Sequence, residues 1–194
     1  MKIKAGIVGG AGYTGGEMLR LLVNHPEVEI VFVHSNSNAG NLISDVHTDL
    51  LGDTDLRFTE ELSSAIDVLF LCVGHGDAKK FLDANPVANG IKIIDLSQDF
   101  RLAEAAGKDW VYGLPELNRE KIKTASFIAN PGCFATSIQL ALMPLAAKGL
   151  IKGEVHINAT TGSTGAGQGL STTSHFSWRN NNLSIYKAFG HQHI

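Results

Sequence analysis

Apolar residues along this chain come in two rhythms. Short, nearly unbroken runs occur at residues 2–8, at Glu29-Ile30-Val31-Phe32-Val33, at Asp67-Val68-Leu69-Phe70-Leu71-Cys72-Val73 and at Ile91-Lys92-Ile93-Ile94-Asp95-Leu96. Between the first two lies a stretch with helical spacing, residues 14–24, where Met18, Leu19, Leu21 and Leu22 form an apolar stripe and Pro26 ends the helix. Strands that are apolar on both faces, alternating with amphipathic helices, predict a parallel sheet covered on each side. The expected architecture is therefore α/β, a Rossmann-type doubly wound parallel sheet over residues 1–130.

The pattern changes after about residue 125. Pro131, Gly132 and Cys133 lead into a long apolar helix over 134–148. A strand from Glu154 to Thr160 and a Gly/Ser/Thr-rich stretch over 161–174 come next. Residues 131–194 are read as the start of an α+β catalytic and dimerisation domain. No later pattern closes the sheet begun at residue 154, so the chain is expected to be part of a longer protein.

Composition narrows the function classes. Of 194 residues, 44% are hydrophobic and only 18% are charged, with 21 glycines, which fits an α/β enzyme with many tight strand-to-helix turns. A formal net charge of −3 offers no basic surplus for nucleic acid or a membrane surface. The chain opens directly on a strand pattern without a secretion signature, and no apolar run reaches the roughly 18 residues of a membrane span. A cytoplasmic location is expected, with Cys72 and Cys133 as unbridged thiols and no metal.

Gly9-Gly10-Ala11-Gly12-Tyr13-Thr14-Gly15 lies between the first strand and the first helix. It reads as G-x-G-x-x-G through Gly10, Gly12 and Gly15, or as G-x-x-G-x-x-G through Gly9, Gly12 and Gly15. Either spacing lets the backbone turn tightly and approach a pyrophosphate seated on the helix N-terminus. The bland alternative is a purely structural glycine turn, against which the flanking strand and amphipathic helix argue. The second strand runs on into His34-Ser35-Asn36-Ser37-Asn38, with no Asp or Glu to hold both ribose hydroxyls and repel a 2′-phosphate. Ser35, Asn36 and Ser37 point to NADP(H), unless they are ordinary turn residues. His75, in Gly74-His75-Gly76 at the end of another strand, is a weaker cofactor candidate.

Asn130-Pro131-Gly132-Cys133 places a thiol at a helix N-terminus, where the helix dipole favours the nucleophilic thiolate. A lone cysteine is more often a small buried residue, the reading given to Cys72. A catalytic thiol also needs a proton carrier near neutral pH; His191 and His193, flanking Gln192, are candidates, though two histidines in a polar segment are equally read as inert.

Taken together these pieces resemble the N-acetyl-γ-glutamyl-phosphate reductases, relatives of aspartate-semialdehyde dehydrogenase. The resemblance covers the whole chain. It rests on Gly9 to Gly15 followed by Glu17, on Asp95-Leu96-Ser97-Gln98-Asp99-Phe100-Arg101-Leu102, on Tyr112-Gly113-Leu114-Pro115-Glu116, on Asn130 to Thr136, on Gly162 to Gly167 and on Gly190-His191-Gln192-His193. Phe134 and Ala135 stand where the family has Tyr and Pro, Gln192 where it has Arg, and Asn36 in a segment where it typically carries Arg. The resemblance implies an NADPH-dependent reduction of N-acetyl-γ-glutamyl phosphate to the semialdehyde, in arginine biosynthesis, through a thioester on Cys133. One of His191 and His193 would be the acid/base. It makes Arg101 a candidate clamp for a substrate anion, or else a structural ion pair, and lets Ser163 and its glycine neighbours present backbone N–H groups to substrate. A homo-oligomer is expected of the full-length protein. The alternatives are an N-succinyl substrate, aspartate-semialdehyde dehydrogenase activity, or a non-catalytic dinucleotide-binding module.

Overall fold

The computed structural model describes residues 1–102, 109–188 and 190, and the chain divides into two compact units, Met1–Gly132 and Cys133–Ile194. In the first unit seven strands form one sheet: β1 (Ile3–Val8), β2 (Val28–His34), β3 (Phe58–Thr59), β4 (Val68–Leu71), β5 (Lys92–Asp95), β6 (Trp110–Tyr112) and β7 (Phe127–Ala129). Their order is β3-β2-β1-β4-β5-β7-β6 and every pairing is parallel, as the apolar strands predicted. The chain leaves β1 toward β2 on one side and returns to β4 on the other, so the connections diverge between β1 and β4.

Two hydrophobic clusters cover the two faces. One packs Ala5, Ile7, Val33, Ile43, Leu50 and Phe58 against Leu19 and Leu22 of α1 (Tyr13–Val23). The other packs Phe32, Leu69, Leu71, Ile93 and Ala129 against Ala78 and Phe81 of α2 (Asp77–Ala84). The buried stripe of α1 is Gly15, Gly16, Leu19 and Leu22, whereas Leu21, expected in the stripe from the apolar spacing, is 68% exposed. Gly15 abuts the loop before the helix and Gly16 abuts His47, so the buried stripe runs through 15, 16, 19 and 22, and Leu21 falls outside it. A third helix, α3 (Pro115–Thr124), starts with proline at its first turn and connects β6 to β7.

The second unit contains α4 (Cys133–Ala147), short 3₁₀ turns at Ser163–Ala166 and Thr172–Ser174, and α5 (Phe176–Arg179). The strand expected over Glu154–Thr160 is not formed: these residues have no regular structure and are exposed. An isolated strand leaves its backbone groups to water, and no other described segment of the unit pairs with it. No helix among the described residues is long and apolar enough to cross a membrane.

Candidate functional site

The carboxyl end of β1 delivers the glycine loop to the place where the connections diverge. The N–H groups of Gly9 and Gly10 both donate to the His34 carbonyl, each at 3.1 Å, and the Gly12 N–H donates to the Gly9 carbonyl at 3.2 Å. Gly9 has φ +78°, and a Cβ there would lie 2.6 Å from the Cys72 carbonyl oxygen. A Cβ on Gly15 would lie 2.6 Å from the Gly10 Cα, and one on Gly10 would overlap Val33. Gly12 differs: its φ is −77° and the nearest atom to a Cβ would be the Gly9 oxygen at 3.5 Å. Three of the four glycines are demanded by packing, and Gly12 leaves space open. Thr14 ties the loop across the divide, its hydroxyl donating to the Cys72 carbonyl at 3.3 Å.

Gly12 caps α1 without a side-chain hydrogen bond, and the first turn carries no acidic residue. That N-terminus keeps its positive end available to an anion. The N-terminus of α2 is the opposite case. The Asp99 carboxylate accepts from the Gly76 N–H at 2.6 Å and the Lys79 N–H at 3.1 Å, and Asp77 adds a second negative charge in the first turn. Of the two helices nearest the divide, only α1 is built to receive a phosphate.

Asp99 belongs to a network formed by the motif from Asp95 to Leu102, whose separate parts only the fold resolves. Asp95, fully buried at the end of β5, accepts from the Ser97 N–H at 3.0 Å and the Ser97 hydroxyl at 2.8 Å. Burial holds its carboxyl above the usual range, opposed by those two hydrogen bonds. Ser97 in turn accepts from the Asp99 N–H at 3.1 Å. Arg101 donates through Nε to the Asn130 carbonyl at 2.8 Å and through Nη2 to the Leu96 carbonyl at 2.7 Å. The guanidinium thus spends two of its donors joining the loop after β5 to the turn after β7.

The remaining candidates are placed as follows. Ser35 is buried, its hydroxyl accepting from Asn38 Nδ2 at 3.4 Å, while Asn36 and Ser37 are exposed beside it. Tyr13 and His75 are exposed, and His75 Nδ1 accepts from the Gln98 N–H at 3.2 Å. In the second unit Cys133 is exposed at the first residue of α4, and Ser163 opens a 3₁₀ turn. Cys72 is buried and its thiol is pushed up to about 12 by burial. His191 and His193 lie outside the described residues. His47, singled out by nothing in the sequence, is buried against the glycine loop: its Nε2–H donates to the Gly10 carbonyl at 2.8 Å.

Residues 4–125 match the model of the semialdehyde dehydrogenase NAD-binding domain, and residues 133–194 match that of the semialdehyde dehydrogenase dimerisation domain. The chain belongs to the semialdehyde dehydrogenase family. It is 63% identical over 193 residues to the N-acetyl-γ-glutamyl-phosphate reductase of Bacteroides thetaiotaomicron, covering 99% of this chain and 60% of that protein. The enzyme of the same name from Flavobacterium johnsoniae is 59% identical over 195 residues, with the same coverage. The motif-based resemblance is borne out by these relatives, and the chain spans about 60% of their length. Two semialdehyde dehydrogenase structures share the fold. Aspartate semialdehyde dehydrogenase with NADP from Candida albicans has a TM-score of 0.58 at 21% identity, covering 78% of this chain and 48% of that one. Aspartate semialdehyde dehydrogenase II from Vibrio cholerae, complexed with ASA, has a TM-score of 0.59 at 23% identity, covering 76% and 47%.

Proposed function

We propose that the protein reduces N-acetyl-γ-glutamyl phosphate to N-acetylglutamate 5-semialdehyde and phosphate, with NADPH as reductant. The relatives named for that reaction support this reading, and the observation that carries it is Cys133, an exposed thiol at the first residue of a helix 15 residues long. At that place the thiol stands open to an incoming acyl phosphate. Cys133 Sγ attacks the acyl carbon, a C–S bond forms, and the C–O bond to phosphate breaks with its electron pair leaving on phosphate. NADPH supplies the hydride that converts the thioester carbonyl to a hemithioacetal oxyanion. Cleavage of the C–S bond then releases the aldehyde and returns the thiolate. Proton transfer in these steps falls to His191 or His193, and a succinylated substrate would take the same course.

On this reading the loop from Gly9 to Gly15, with Ala11, Tyr13 and Thr14, holds the pyrophosphate at the start of α1. The open space at Gly12 and the uncapped helix fit such a group. Exposed Asn36 and Ser37 meet the 2′-phosphate, Ser35 supports their turn from below, and His75 flanks the cofactor. Arg101 shapes the turn that leads to Cys133, and Ser163 offers its turn to substrate. Residues 131–194 are the opening of the catalytic domain, the whole protein is a homo-oligomer, and its place is the cytoplasm.

Turnover by the full-length protein tests the reading. Cys133→Ser is expected to lower it by at least ~10³-fold while NADPH affinity holds, because a serine hydroxyl supplies almost no anion at neutral pH. Near-normal turnover by the serine variant would exclude the thioester route.

A further inference from the structure

We infer that His47 is a positioning residue for the dinucleotide site, fixing the plane of the Gly10–Ala11 peptide from beneath the glycine loop. His47 lies between two 3₁₀ turns, Ile43–Asp45 and Thr48–Leu50, in a strap that crosses the start of α1. Its ends are held firmly: Ile43 and Leu50 are buried in the core on that face, and Arg20 of α1 grips the Asp49 carboxylate with two bonds of 2.6 and 2.8 Å. Its backbone is held as well, His47 N–H donating to the Ile43 carbonyl at 2.9 Å and its carbonyl accepting from Leu50 at 2.9 Å.

The ring fills a slot between the helix and the loop. A Cβ on Gly16 would lie 2.6 Å from His47 Cε1 and 2.7 Å from Nδ1, so glycine at that position is what admits the imidazole. The ring also lies 6.3 Å from that of Phe58, centroid to centroid, tilted at 57°. In this slot Nε2 meets the Gly10 carbonyl at 2.8 Å, and since a carbonyl only accepts, the proton is on Nε2. In a trans peptide the C=O and the N–H across the C–N bond point in opposite directions. Holding the Gly10 oxygen inward therefore fixes the plane of the Gly10–Ala11 peptide and, with it, the course of the glycine loop into the start of α1. A preorganised donor array binds an anion without the cost of ordering itself, and a loop of glycines has much freedom to lose.

This inference rests on the reading of the glycine loop as an NADPH site, and the experiment separates the two. NADPH is titrated into the full-length protein carrying His47→Gln or His47→Met, two side chains of similar shape of which only glutamine donates. His47→Met is expected to raise the NADPH dissociation constant about tenfold, with His47→Gln within about threefold of wild type. The KM for the acyl phosphate and the thermal midpoints of the two variants should agree with each other, an outcome that a merely structural histidine does not give. If His47→Met does not fold, Gly16→Ala displaces the imidazole through its Cβ and is expected to show the same loss of affinity. Equal NADPH affinity in the methionine and glutamine variants, or in Gly16→Ala and wild type, would overturn the inference alone. A wild-type protein that fails to bind NADPH would overturn the cofactor reading with it.

Discussion

At the scale of single residues, the glycines of the first loop do different jobs. Gly9, Gly10 and Gly15 are excluded from change by neighbours that a Cβ would strike, whereas Gly12 has room. Gly12→Ala should thus leave the melting temperature within a few degrees while weakening NADPH binding, and Gly15→Ala should cost stability, on the order of 1–3 kcal/mol for an overpacked site. Thermal melts and cofactor titrations of the two variants check the pair. The thiols separate as clearly: with Cys72 buried and its thiol at about 12, a maleimide at neutral pH is expected to modify Cys133 alone, as peptide mapping would show. The loop and Cys133 were legible in the sequence because each sits at a junction of strand and helix. His47, Asp99 and the bonds made by Arg101 were not, because each acts on backbone atoms up to 37 positions away, and only the folded chain brings those together.

At the scale of elements, the long apolar strands and α1 were readable from periodicity. The brief outer ones, β3 with 2 residues and β6 with 3, carry too few positions for any rhythm. The expected strand at 154–160 failed for a different reason: an apolar run becomes a strand only where another strand accepts its hydrogen bonds. The attachment of the strap to α1 has a pH signature. The hydrogen bonds from Arg20 hold the Asp49 carboxyl down to about 2. A depressed carboxyl contributes stability above its ordinary value of 3.8 and loses it as the pH falls toward 2. Asp49→Asn is therefore expected to unfold at lower urea concentration than wild type at pH 6, and the gap should narrow as the medium is acidified. Because the pair is exposed, added salt should shrink the difference at pH 6 as well. A gap that is constant from pH 6 to the acid limit of folding would contradict this account of Arg20 and Asp49.

At the scale of the whole molecule, the two hydrophobic clusters lie within the first unit and close both faces of its sheet. Residues 1–132 by themselves are expected to unfold in a single cooperative transition and to retain NADPH binding, which calorimetry and titration of that fragment would measure. A broad, non-cooperative melt would mean that the sheet depends on residues beyond 132. The wholly parallel sheet also has a consequence for how the chain reaches this state. Parallel neighbours cannot be joined by a hairpin, so each pair waits for a long loop to close. The interior strand β1 precedes every other strand of the sheet in the chain, yet its register with β4 joins Ala5 to Val68. On the ribosome, then, β1 emerges before its neighbours and stands half-paired with β2 until the chain has left the exit tunnel as far as β4. β1, buried from Ala5 to Val8 in the finished sheet, is thus the strand that spends longest without its second neighbour, and its exposure to misassociation is concentrated in the course of synthesis.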